Sequence, residues 1–150
     1  MFEMEFLGEN KKVPNRRFFS AANFMLPCLL KKEHIDKLNI TLSFLKEDRE
    51  RDTDGWTLKE GLNSYYIWIR NSAPRKRQLT SLAHELVHVK QDLLGEGAID
   101  SKIAKATPDA EHVDDYWDDP LEIEAYGREL GLTDRFLRWE SLNEPLPAKS

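Results

Sequence analysis

His84-Glu85-Leu86-Val87-His88 places two imidazoles and a carboxylate within little more than one helical turn. On a helix, residues four apart lie one above the other, so His84 and His88 can address one ion from a single face. Two imidazoles about 2.0–2.1 Å from Zn²⁺ make half of a tetrahedral site. Glu85 lies about 100° round from His84 and reaches the edge of that site without ligating. From there it can accept a proton from a water and return it to a leaving amine. This chain's composition yields the pattern by chance about once in a hundred such sequences, which sets it above a coincidental histidine pair on a surface or in a core. Leu82, Ala83, Leu86 and Val87 surround the motif, so the helix is expected to be buried and the site dry.

A third protein ligand must come from elsewhere. An extension with Gly and His after the motif, as in metzincins, is absent, because Gln91 and Leu94 stand at those positions. His112, Glu122 and Glu124 are the candidates. The two glutamates lie about 200° apart on one helix, so at most one can ligate. Glu124 shares its face with Gly127 and Gly131, and glycine inside a helix usually has a packing reason, here close approach to the His84 helix. Glu122 shares its side with Glu129, which suggests solvent. The expected ligand set is therefore His84, His88 and Glu124, with Glu122 second and His112 last. Tyr116 and Tyr126 are candidate donors to an oxyanion, and Tyr126 also lies on an apolar stripe with Ile123 and Leu130. Gln91, one turn below His88, could hold a carboxylate or a water.

HELVH, followed some thirty residues later by a Glu-Ala pair on a second helix, resembles the small gluzincin-type zinc peptidases, or minigluzincins. SLAHELVHVKQ and PLEIEA are also similar to small zincin-like proteins encoded by phages and bacteria. The resemblance covers about residues 64–131. It implies that the Glu ahead of the alanine, Glu124, is the third zinc ligand. It also implies that the strand before the motif helix, Tyr65 to Ile69, borders the cleft and pairs with an extended substrate. Many gluzincins carry an Asp four residues after that Glu; here Arg128 stands there, so the outer support of the ligands must differ.

The elements that would position these residues are legible in outline. Residues 2–6 alternate apolar and charged like a short strand or ordered arm, and 16–30 read as a helix ended near Pro27. KKEHIDKL suits a short helical turn. Residues 40–45, 56–59 and 64–70 read as three strands, an antiparallel meander by default. Leu79, Leu82, Leu86 and Leu93 set a helix over 76–94 that stops at Gly95. A short helix near 99–106, a helix over 121–131 and a last one over 134–142, capped by Thr133, complete the order. The expectation is a single α+β domain spanning 1–150, zincin-like, with a three-stranded antiparallel sheet.

Composition narrows the classes further. The chain has 150 residues, 33% of them charged, 40% hydrophobic, and a net charge of -5. That length suffices for one buried core. The acidic balance argues against a broad nucleic-acid face, and the single Cys28 rules out a disulfide framework or zinc ribbon; both weaken a DNA-associated zinc protease. Cys28 reads as a small buried hydrophobe. Basic residues gather at 11–17 and 70–77, and eight acidic ones fall between Asp109 and Glu124. With no secretory leader or membrane span visible, a cytoplasmic protein is expected, or a virion-associated one if phage-encoded. The expected activity is zinc-dependent hydrolysis of a protein or peptide substrate with Glu85 as general base. The rival is a zincin-fold structural or binding component of a larger phage or host assembly.

Overall fold

A computed structural model describes residues 2–45, 53–97 and 119–143. The elements in chain order are β1 (Glu3–Leu7), α1 (Asn15–Leu29), α2 (Lys32–Ile35), β2 (Asn39–Ser43), β3 (Gly55–Gly61), β4 (Ser64–Ile69), α3 (Arg75–Leu93) and α4 (Pro120–Asn143). The α+β class is as expected, but the sheet is not a three-stranded meander. Four strands lie in the order β1-β2-β4-β3; β1 and β4 run parallel to β2, and only β3 is antiparallel, to β4.

The strands' side chains explain that order. β4 is apolar on both faces: Tyr65, Ile67 and Ile69 on one, Tyr66 and Trp68 on the other. Such a strand belongs inside a sheet. β3 ends in Lys59-Glu60-Gly61 and takes the edge, where charge discourages unwanted pairing. Leu62 and Asn63 make the two-residue hairpin between them, and Asn63 adopts the left-handed φ of 59° that asparagine tolerates well. β4 therefore slots between β2 and β3, and the N-terminal alternation becomes a fourth strand, β1.

α3 runs through the middle of the molecule, packed against β3 and β4, α1 and α4. Its Leu79, Leu82 and Leu86 meet Phe18, Met25 and Leu26 of α1, Ile67 and Ile69 of β4 and Phe136 of α4 in one core. Every residue from Gln78 to Gln91 is buried, which is why the motif sits in a dry environment. Gly95, at φ 70°, turns the chain just beyond the helix.

α1 ends near Pro27 as expected, two residues past it, since Asn23 and Pro27 lie on its exposed face and the carbonyl left unpaired there can meet water. Two local expectations are corrected. Cys28 shares that face and is exposed, not buried. The C-terminal segment is one helix: the Thr133 hydroxyl donates to the Glu129 carbonyl at 2.7 Å inside α4, so it caps nothing. The expected helix near 99–106, His112 and Tyr116 lie outside the described residues. Among the described residues no helix is long and apolar enough to cross a membrane.

Candidate metal centre

α3 holds His84 and His88 on one face, with 9% and 6% exposure. The outer nitrogen of each ring is committed. His84 Nδ1 lies 2.8 Å from Glu129 Oε2, a carboxylate that can only accept. His88 Nδ1 lies 2.8 Å from Gln91 Oε1. The orientation of that amide is fixed in turn, because Gln91 Nε2 donates to the Leu121 carbonyl and to Glu124 Oε1, both at 2.9 Å. In the neutral rings both Nδ1 atoms therefore carry the proton, which turns both Nε2 lone pairs inward.

Glu122 meets them there. Asp119 accepts from the Leu121 amide at 2.9 Å, and Pro120 opens α4 with its φ already helical, so Glu122 sits in the first turn. α4 runs antiparallel to α3, pairing Asp134 with Lys76, Glu129 with His84, Glu122 with His88 and Glu124 with Lys90. Glu122 Oε1 stands 2.7 Å from His88 Nε2 and 3.3 Å from His84 Nε2, and the two Nε2 atoms are 3.2 Å apart. Ligands about 2.0–2.1 Å from one tetrahedral ion are separated by about 3.3 Å, close to this triangle. Both imidazoles have their outer nitrogen committed, and their inner nitrogens meet one carboxylate oxygen, an arrangement that suits a cation or a proton between them. Among the described residues, His84, His88 and Glu122 form the cluster that could hold a metal ion.

The structure thus brings Glu122 to the two histidines, where Glu124 was expected. Glu124 Oε2 binds Lys90 at 2.7 Å and Arg128 at 3.0 Å, on the flank of α4 away from the histidines. Lys90 is a buried ammonium and requires those carboxylates. The glycine argument fails for the same reason of phase. Gly127 and Gly131 are exposed, and a Cβ at either would meet no atom within 4 Å. The buried face of α4 instead carries Glu122, Ala125, Glu129, Leu132, Thr133 and Phe136. Ile123 and Leu130, expected on the core stripe, are each 56% exposed, and Tyr126 is 41% exposed.

Glu85 lies at the edge of the cluster as its position one residue after His84 predicts. It is buried, and its Oε1 accepts from the Thr57 hydroxyl of β3 at 2.7 Å. Gly55, on the same strand, leaves the other oxygen room: an added Cβ would sit 3.5 Å from Glu85 Oε2 and only 2.9 Å from the Trp68 carbonyl. Lys59 completes the face, binding Asp92 of α3 at 3.0 Å, and the Tyr65 hydroxyl donates to the same carboxylate. Desolvation and that carboxylate leave the Tyr65 phenol far more reluctant to ionise than usual. Tyr65 thus pins β4 to α3, while Tyr66 and Trp68 stack with Trp56 on the opposite face of the sheet. β4 is paired on both sides, so among the described residues the free edge near the motif is that of β3.

The electrostatics match the geometry. Burial works against a charged His84, but the hydrogen bonds it donates to Glu122 and Glu129 and the charges of Glu85 and Glu122 outweigh it and raise its pKa to about 10. Burial likewise opposes a charged Glu122, yet His84 and His88 hold its carboxyl well below the usual range. A proton on His84 and a divalent ion satisfy the same acceptors and exclude each other. Gln91 does hold a carboxylate, that of Glu124, as its place one turn below His88 allows. Glu129 and Thr57 are the residues whose roles the sequence hides: the side of α4 that Glu129 shares with Glu122 suggests solvent, and Thr57 lies 28 residues before Glu85. The i, i+7 spacing of Glu122 and Glu129 was the one available signal for the first of these.

Comparison with protein-family models, with curated proteins and with solved structures gives no match.

Proposed function

We propose that this chain is a zinc-dependent metallopeptidase of gluzincin-like design, with His84, His88 and Glu122 as ligands and Glu85 as general base. The observation that carries the reading is the convergence of two imidazole Nε2 atoms and one carboxylate oxygen, with a second carboxylate beside them that does not join the triangle. Two histidines and a glutamate are a catalytic zinc set that keeps a fourth position for water or substrate. Zinc held there would supply Lewis acidity and bring the pKa of water toward about 7. The chain's own residues do the rest. Thr57 occupies Glu85 Oε1 and leaves Oε2 to take a proton and later give it to the leaving amine. Glu129 and Gln91 keep both imidazoles in the tautomer that presents Nε2. An extended peptide would pair with the free edge of β3, which runs past Glu85.

The test is a casein or peptide-library digestion by zinc-loaded protein beside Glu85→Gln. The variant should retain zinc and lose about 10²-fold or more in turnover. Equal turnover in both forms would remove Glu85 from the chemistry.

One observation favours the rival reading, a zincin-like structural or binding component with its metal as a staple. The three ligands are only 4–9% exposed. In that case zinc removal unfolds the protein, no peptide is cut by either form, and small zinc-directed hydroxamates fail to bind.

A further inference from the structure

α3 and α4 are antiparallel, with His84 and Glu122 as facing residues. For two right-handed helices so arranged, residues rotated the same way from the facing positions lean to the same side. Glu85 and Asp92, about 100° and 80° round from His84, lean toward β3, as their contacts with Thr57 and Lys59 show. On α4, Tyr126, Leu130 and Ile123 are rotated by about 40°, 80° and 100° from Glu122 in that same sense. The opposite side is filled by the Lys90–Glu124–Arg128 cluster. The exposed apolar stripe of α4 therefore stands across the site from the free edge of β3. It is also continuous with the site, because the Tyr126 ring packs edge-on against His84 with centroids 4.6 Å apart.

We infer that Ile123, Tyr126 and Leu130 form a specificity wall that takes large apolar side chains of an extended peptide lying along β3. The inference rests on the metallopeptidase reading and adds the class of substrate. Ile123 and Leu130 are seven residues apart, about 10 Å along the helix. Side chains on one face of an extended chain recur about every 6.6 Å, so the wall spans roughly two of them. No charged side chain lies on the stripe between Ile123 and Leu130, since Arg128 and Glu124 point to the other flank and Glu129 is turned inward to His84. An acidic or basic substrate side chain there would lose water and gain no partner.

The experiment uses the zinc-loaded full chain and calorimetry with four probes: acetohydroxamate, and three peptide hydroxamates of equal length with leucine, serine or aspartate next to the zinc-binding group. The leucine probe should bind at least about tenfold more tightly than the aspartate probe. Ile123→Asn combined with Leu130→Asn, with zinc content as the check on folding, should narrow that ratio to under about threefold; each single change should narrow it in part. Equal binding of the leucine and aspartate probes, or a preference that survives the double change, overturns the inference while acetohydroxamate binding still upholds the metal site. If acetohydroxamate itself does not bind, the metallopeptidase reading falls and takes this inference with it. A concentration-dependent dimer that the double change dissolves would also overturn it, by showing the stripe to be an interface between copies.

Discussion

Each histidine of the cluster turns one nitrogen toward Glu122 and commits the other to an outer partner, which decides the tautomer. Glu129 does this for His84 with a full negative charge, which also strengthens the ring as a donor. Glu129→Ala should therefore weaken zinc affinity about 10- to 100-fold without removing a ligand, measured by competition with a chromophoric chelator. Glu122→Ala should weaken it further, whereas Glu124→Ala should leave affinity within a few-fold and lower stability by about 1–3 kcal/mol, because Lys90 loses a carboxylate. The reverse ranking of Glu122 and Glu124 would show that the phase of α4 is wrong. His84, Glu85 and His88 were legible from sequence because their relation is internal to one helix. The third member of the cluster was not, since it depends on which face of a second helix turns inward, and PLEIEA offers a carboxylate on either.

That phase is the main lesson at the scale of elements. Ile123, Tyr126 and Leu130 recur at the same spacing as Glu122, Ala125, Glu129 and Leu132, one residue out of step. Hydropathy favours burying the first set; the structure buries the second, because two buried imidazoles make carboxylates acceptable inside. Reading a break at Thr133 hid the decisive continuation, Leu132 and Phe136, which extends the second set to the core. The helix and strand segments themselves were mostly visible, but sheet order was not, because it turned on β4 being apolar on both faces. Gly127 and Gly131 now have a different consequence. With open space at each Cβ, Gly127→Ala and Gly131→Ala should each stabilise the protein by about 0.5–1 kcal/mol, through helix propensity and a more restricted unfolded chain. Thermal or urea unfolding measures this. Destabilisation by either change would mean that the glycine face of α4 meets another surface after all.

For the whole molecule, the two carboxylates and two imidazoles enclosed between α3 and α4 tie folding to pH in opposite ways with and without metal. In the metal-free protein His84 is raised from 6.5 to about 10, so its contribution is complete below about pH 6.5 and is lost as pH rises toward 10. Glu122 is shifted down, so its contribution is present above 4.5 and fades as acid is added. Together they give the chelated protein its greatest electrostatic support between about pH 4.5 and 6.5. Zinc requires the unprotonated His84 Nε2, so binding must expel that proton and becomes more favourable as pH rises toward 10. The difference in melting temperature between zinc-loaded and chelated protein should accordingly widen from pH 6.5 to pH 8.5. Zinc titration at pH 7 should release about one proton per chain, detectable as a calorimetric enthalpy that changes with the ionisation enthalpy of the buffer. A difference in melting temperature that stays constant or narrows over that range, with no buffer dependence, would place the metal away from His84 and undo the link between the buried cluster and the ion.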